Sequence, residues 1–337
     1  MQAPTPETAS ATKQTRLVQL LTVLALVLMV AAYFTPAWWV SLTAPNYPKD
    51  AFPDGIRIHF HFTGVHNGCS TPPKSSQLAN ETMQEDLGSQ TERYNPVLAA
   101  KKQQQISEGK AEALDCVHEM NTINHYVGMH PIGIGAPVER QVSRYVFGFF
   151  SVLLLGFLTT RRTLRLKVLG AGFAIVTAWM VGELYVMGSL DAFVEGYKTA
   201  AGAFFREPER ISAWGDTLRT VTTGVVVALV LAMGVVLAGV AKLPKFSLLL
   251  ALVPALLPIY FVLDYAGWLW FFGHNLHPWG AFTVKPFMPT VFGEGKVAQF
   301  STYSYPYWGY LLVVLTMLSL LLALLIRRKQ MREGTAE

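Results

Sequence analysis

The chain has 337 residues, of which 52% are hydrophobic and only 15% are Asp, Glu, Lys or Arg. This composition excludes an ordinary soluble globule and predicts a helical membrane protein. The net charge of +5 comes from short basic segments between apolar runs, a distribution that is typical of the cytoplasmic loops of membrane proteins. This explanation of the positive charge argues against nucleic-acid binding.

Six apolar runs, each of about 20 residues, are long enough to cross a hydrocarbon layer of about 30 Å as a helix. They cover residues 17–40, 145–160, 168–189, 220–240, 246–271 and 307–326. Lys and Arg concentrate in the tails, residues 1–16 and 327–337, and in every second connection, so both termini should be cytoplasmic. The predicted fold class is a six-helix α-helical transmembrane bundle. An exported α+β domain of about 100 residues, 41–144, separates the first two spans and is large enough for a small core.

The exported domain contains a strand pattern. Residues 56–62 alternate with period two, so His59 and His61 share one face of the predicted strand. Such a pair suits a metal site, although solvated strands also carry such pairs. Val65-His66-Asn67-Gly68 predicts the turn of a hairpin. Further along, Asn95-Pro96 is a suitable start for a helix.

Residues 115–130 are the stretch richest in potential metal ligands. If they are helical, four side chains form one stripe: His118, Thr122, His125 and Met129. Cys116 and Met120 then lie on the opposite face. Pro131 should end the helix near Met129 and leave His130 at its mouth. Imidazole and thioether groups suit copper, while the alternative interpretation is a polar helix face.

The only two cysteines, Cys69 and Cys116, both lie in the exported domain, which favours a disulfide between them. Cys116 also points away from the histidine stripe.

The later spans carry two acids, Glu183 in the outer part of the third span and Asp264 in the outer part of the fifth. Ionisable groups at such depth mark a functional site unless they pair with a neighbour or reach the interface. Residues 190–219 are predicted to form an amphipathic outer interfacial segment. The outer loop, residues 272–306, should lie on the exported domain or along the bilayer. His274 and His277 are three residues apart at its tryptophan-rich start.

Two segments carry a resemblance to a known group of proteins. Residues 119–129 read EMNTINHYVGM, and Gly273-His274 is followed by Lys285-Pro286-Phe287 and by FSTYSYP at 300–306. These resemble polytopic inner-membrane accessory proteins encoded with the maturation genes of nitrous-oxide reductase, a periplasmic copper enzyme of denitrification. The resemblance implies a bacterial inner-membrane accessory protein that works with copper on the periplasmic side. It extends to three candidate ligands, His125, Met129 and His274.

The main hypothesis is a periplasmic copper site that supports copper supply to, or maturation of, such an oxidoreductase. Its candidate ligands are His59, His61, His118, His125, Met129, His130, His274 and His277. Asn121 and Asn124 could orient the imidazoles. One alternative is a quinol-interacting electron-transfer subunit that uses Glu183 and Asp264. Another is a structural anchor without metal. Expected partners are the lipid bilayer and a periplasmic copper enzyme or other membrane subunits, and no sequence motif predicts an enzyme.

Overall fold

The computed structural model describes residues 6–47, 49, 52–69, 115–278, 280–281, 284–297 and 299–334. Its α-helices, in chain order, are α1 (Pro6–Phe34), α2 (Cys116–Val127), α3 (Pro137–Leu158), α4 (Arg162–Val181), α5 (Ser189–Gly202), α6 (Pro208–Lys242), α7 (Leu249–Ala255), α8 (Leu257–His274) and α9 (Trp308–Arg332). Its strands are β1 (Trp38–Thr43), β2 (Ile56–His61), β3 (Gly64–Asn67), β4 (Gly293–Val297) and β5 (Phe300–Pro306). The expected helix start at Asn95-Pro96 lies outside the described residues.

Five helices in this part of the chain, α1, α3, α4, α6 and α9, are long and apolar enough to cross a membrane. A sixth span is possible if α7 and α8 count as one. Large apolar side chains on these helices remain exposed, for example Leu20 at 68% and Leu231 at 64%. Continuous exposed apolar surface on hydrogen-bonded helices is what a bilayer accommodates. The chain is therefore a mostly helical protein with the features of a multi-pass membrane protein.

Several helices begin or end at residues other than the bounds expected for the spans. The first helix ends at Phe34 rather than at residue 40, because Pro36 disfavours helical geometry at the residue before it and the chain then enters β1. The helix that contains most of the span expected at 145–160 begins at Pro137, a favourable first helical residue. Residues 190–219 form most of α5 and the beginning of α6.

The predicted fifth span is bent. Residues 244–255 and α8 meet at an angle of 48° around Leu256. Pro254 and Pro258 flank this position, and proline removes a helix hydrogen bond and crowds the preceding turn.

The strands form one antiparallel sheet in the order β3-β2-β1-β5-β4. β1 follows the first long helix and β5 precedes the last one, and these two helices pack side by side. The outer loop therefore lies on the segment after α1, which was one of the two placements expected from its composition. The α+β region is built from both segments and is not confined to residues 41–144.

A buried polar contact joins the sheet to α8. The indole Nε1 of Trp38 donates to Ser304 Oγ at 2.9 Å, and Ser304 Oγ donates to the Val291 carbonyl at 2.8 Å. The hydroxyl of Tyr265 on α8 lies 3.2 Å from the same oxygen. Ser304 is 0% exposed, so this one hydroxyl of β5 satisfies polar groups from β1, from α8 and from the segment just before β4.

The predicted strand at residues 56–62 is confirmed as β2, but the turn that follows it is wrong. The chain reverses at Phe62-Thr63, and Val65, His66 and Asn67 belong to β3. α2 covers the sheet, and its buried face includes Cys116 and Met120, whereas His118 and Thr122 of the predicted stripe are exposed. A disulfide links Cys69, after β3, to Cys116 at the start of α2.

Candidate functional site

The end of α2 positions the first part of the candidate site. Gly128 terminates the helix with φ +86, and its N–H donates to the His125 carbonyl at 2.9 Å. Met129 N–H donates to the Asn124 carbonyl at 2.7 Å, which completes a left-handed cap. The Asn124 side-chain amide donates to the His130 carbonyl at 3.2 Å. The asparagine thus fixes the backbone of His130 rather than its ring.

A distant segment docks onto this cap. The N–H of His277 donates to the Gly128 carbonyl at 2.7 Å, and that of Ala281 donates to the Tyr126 carbonyl at 2.8 Å. Glycine is required at residue 128 because a Cβ there would lie 2.7 Å from the His277 carbonyl oxygen. The backbone contact brings His277 beside His130, although the two are far apart in sequence.

We call His125, His130 and His277 the imidazole cluster. The rings of His130 and His277 lie 5.2 Å apart between centroids, and these residues are 6% and 5% exposed. Phe205 packs 4.5 Å from His277, and Trp214 packs 4.8 Å from His130. His125 lies at the edge of this aromatic enclosure, 6.0 Å from Phe204.

The buried surroundings of the cluster favour the neutral form of its imidazoles. Burial, then the neighbouring His277 and Arg210, lower the pKa of His130 to about 4. Burial is also the main cause that lowers the pKa of His277 and that of His125. A neutral imidazole keeps a lone pair on one ring nitrogen, which is the form that ligates metals.

Other predicted ligands lie elsewhere. Met129 is not on the helix stripe, because Gly128 ends α2 before it, and its side chain lies in the core beneath the sheet. His118 is exposed on α2. His274 is exposed and stacks on Trp270 at 4.6 Å. α8 ends at His274, so the spacing of three to His277 is not one helical turn.

The β2–β3 hairpin carries a second histidine group, formed by His59, His61 and His66. His59 pairs with His66 across the strands, and the rings of His61 and His66 lie 4.4 Å apart. Burial, then His66 and His59, lower the pKa of His61 to about 4. His66 was missed as a candidate because it was placed in the turn. A two-residue turn at Phe62-Thr63 puts it opposite His59.

The single site expected from His59, His61 and His125 is not found. Among the described residues, no three or more His, Cys, Asp or Glu side chains lie close enough together to hold a metal ion. His59 instead stacks on Tyr307 at 5.2 Å, whereas His125 faces Phe204 and Phe205. His59 and His125 therefore belong to two separate groups of histidines.

The two acids also have identifiable neighbours. Glu183 accepts a hydrogen bond from Tyr145 at 3.1 Å and forms an ion pair with Arg144 at 2.7 Å. It lies in a π-helical turn, Gly182–Val186, that ends α4. Asp264 on α8 lies beside Glu139 in the first turn of α3, close enough for the two acids to interact electrostatically. Glu183 therefore agrees with the pairing interpretation, and Asp264 faces a second acid.

Asn121, like Asn124, contacts backbone: its Oδ1 accepts from the Gly133 N–H at 2.9 Å. The two side chains hold the loop after α2, in which His130 lies.

Searches against family models, curated proteins and solved structures find no match for this chain.

Proposed function

We propose that this protein is a bacterial inner-membrane accessory protein that holds Cu(I) between two imidazoles of the cluster, those of His130 and His277. It would deliver that copper to a periplasmic oxidoreductase such as nitrous-oxide reductase. The observation that carries the proposal is the pairing of His130 with His277, 5.2 Å apart between ring centroids, inside an aromatic enclosure. The two residues reach this position through the backbone contact between Gly128 and His277.

The chemistry of the cluster supports copper binding. Imidazole nitrogen suits both Cu(I) and Cu(II), and the lowered pKa of His130 leaves that ring uncharged and able to ligate at neutral pH. Trp214, close to the His130 ring, adds a π-face that favours a bound cation. His125, which is less buried than the other two, is suited to exchange of the ion with a partner.

Location supports a role in supply. The cluster lies at the sheet-bearing end of the bundle, and the positive-inside distribution of Lys and Arg predicts that this end faces the periplasm. The resemblance carried by residues 119–129 and 273–306 implies that the protein receiving the copper is a periplasmic copper enzyme.

The test is elemental analysis of detergent-purified protein after loading with Cu(I) and removal of excess metal. Wild type should retain copper, and the double variant His130→Ala/His277→Ala should lose most of it. The matched control is His118→Ala/His274→Ala, which removes two exposed histidines and should retain copper. Equal copper in both double variants would contradict the assignment. Loss only on changing His59, His61 and His66 would move the site to the hairpin.

A further inference from the structure

A cavity of about 310 Å³ lies where the helix bundle meets the sheet. Its walls come from the start of α3, from α8 and from the tip of the β2–β3 hairpin, and most of the lining side chains are apolar or aromatic. The 48° bend at Leu256 lies next to the cavity, since Leu257 at the start of α8 is one of the lining residues. It lies apart from the imidazole cluster, and none of the three cluster histidines lines it.

Polar groups converge inside this apolar space. Asp264 and Glu139 both line the cavity as neighbouring acids. Glu139 Oε2 is buried and has no hydrogen-bond partner among the described residues. His61 on the hairpin and Arg140 on α3 also contribute to the lining. A small number of placed polar groups in an apolar cavity is the usual form of a small-molecule site.

We infer that this cavity binds the ring of a lipid-soluble quinol, whose hydroxyl groups donate to the carboxylates of Glu139 and Asp264. The aromatic lining, which includes Phe261 and Trp268, suits a flat ring. The buried Glu139 Oε2, which has no donor among the described residues, calls for a ligand that carries hydroxyl groups. A phospholipid fits less well, because its phosphate would meet two acids, and the Arg140 Nη1 atom already donates to the Gly133 carbonyl at 2.6 Å.

Size and location agree with this class of ligand. The volume is at the lower end for small-molecule sites, roughly 300 to 1,000 Å³, so it accommodates a ring and leaves a long tail outside. Tyr260, on the part of α8 nearest the bend, lines the cavity and is 43% exposed. The tail can therefore extend past Tyr260 into the lipid. Binding of the quinol does not depend on copper binding at the imidazole cluster.

The experiment measures equilibrium binding of radiolabelled decylubiquinol to detergent-purified full-length protein under anaerobic conditions. Wild type should bind saturably. Val146→Trp, which fills the cavity, should weaken binding at least tenfold. Leu263→Trp adds the same side chain to α8 at a position that is 65% exposed and does not line the cavity, so its affinity should equal that of wild type.

A second comparison tests recognition of the hydroxyl groups. The 1,4-dimethyl ether of the probe cannot donate hydrogen bonds and should bind about tenfold more weakly or worse, because hydrogen bonds to charged groups are the strong ones. Should Val146→Trp fail to fold, Asp264→Leu takes its place and should also bind at least tenfold more weakly. Non-saturable binding to wild type, equal affinities of the two tryptophan variants, or equal binding of quinol and ether would each overturn the inference.

Discussion

Replacement of Gly128 by alanine tests how the fold assembles the imidazole cluster. Gly128 has φ +86, and its carbonyl accepts the His277 N–H at 2.7 Å. A Cβ at this residue would lie 2.7 Å from the His277 carbonyl oxygen, a backbone atom that cannot rotate away. The substitution therefore introduces backbone strain in α2 and also pushes the His277 segment away from His130.

A control variant separates the cost of backbone strain from the cost of the clash with the His277 segment. Gly188 also has a positive φ, +71, but nothing lies within 4 Å of a Cβ built there. Gly188→Ala should cost only the left-handed strain, about 1 kcal/mol. Gly128→Ala adds the clash with the docked segment, about 2 kcal/mol more, for a total of about 3 kcal/mol.

Denaturant unfolding of the two variants in detergent measures the free-energy difference, and competition with a chromophoric Cu(I) chelator measures copper affinity. Gly128→Ala should be about 2 kcal/mol less stable than Gly188→Ala and should bind copper at least tenfold more weakly. Equal stabilities and equal copper affinities would show that the contact between Gly128 and His277 does not position the cluster.

Three further predictions concern the sheet and the buried histidine. Replacing Cys69 and Cys116 together by serine should lower the free energy of unfolding by about 4 kcal/mol, since the bond closes a loop with a sequence separation of 47, and reduced wild type should match the variant. Ser304→Ala should lower the free energy of unfolding, measured by thermal unfolding, by about 2 kcal/mol, because the Trp38 indole and the Tyr265 hydroxyl lose their buried partner. The control is Ser301→Ala on the same strand, which should be tolerated because Ser301 is partly exposed. The pKa of His130 is about 4 in the folded protein and about 6.5 in the unfolded chain. The free energy of unfolding of the metal-free protein should therefore fall with decreasing pH, by up to about 3 kcal/mol between pH 6.5 and pH 4. His130→Gln should flatten that slope, and an unchanged slope would contradict the assignment.

Much of the helical fold could be predicted from the sequence, because a membrane span is recorded in a continuous apolar run. The strand at Ile56–His61 was also visible, since alternation along a strand is local. The pairing of β1 with β5 was not, because it joins residues at opposite ends of the chain and no local pattern encodes it. Pro254 and Pro258 indicated the bend at Leu256, but a prediction from hydropathy alone did not take the two prolines into account.

The candidate site was only partly predictable. The sequence picked out His125, His130 and His277, but grouped them with Met129, His59 and His61. Gly128 marked the end of α2 and, read as a left-handed cap, would have removed Met129 from the stripe. The partner of His130 depended on a backbone hydrogen bond between distant segments, which composition does not reveal. Asp264 was found as an acid, but its neighbour Glu139 lay before the predicted start of its helix.

The most direct measurement is X-ray absorption at the copper edge of the Cu(I)-loaded, full-length protein. Wild type should show a first coordination shell that contains the imidazole nitrogens of His130 and His277. His277→Ala should remove one imidazole from that shell, whereas His274→Ala should leave the spectrum unchanged. A spectrum without imidazole scattering, or one that does not change in His277→Ala, would contradict copper binding at this cluster.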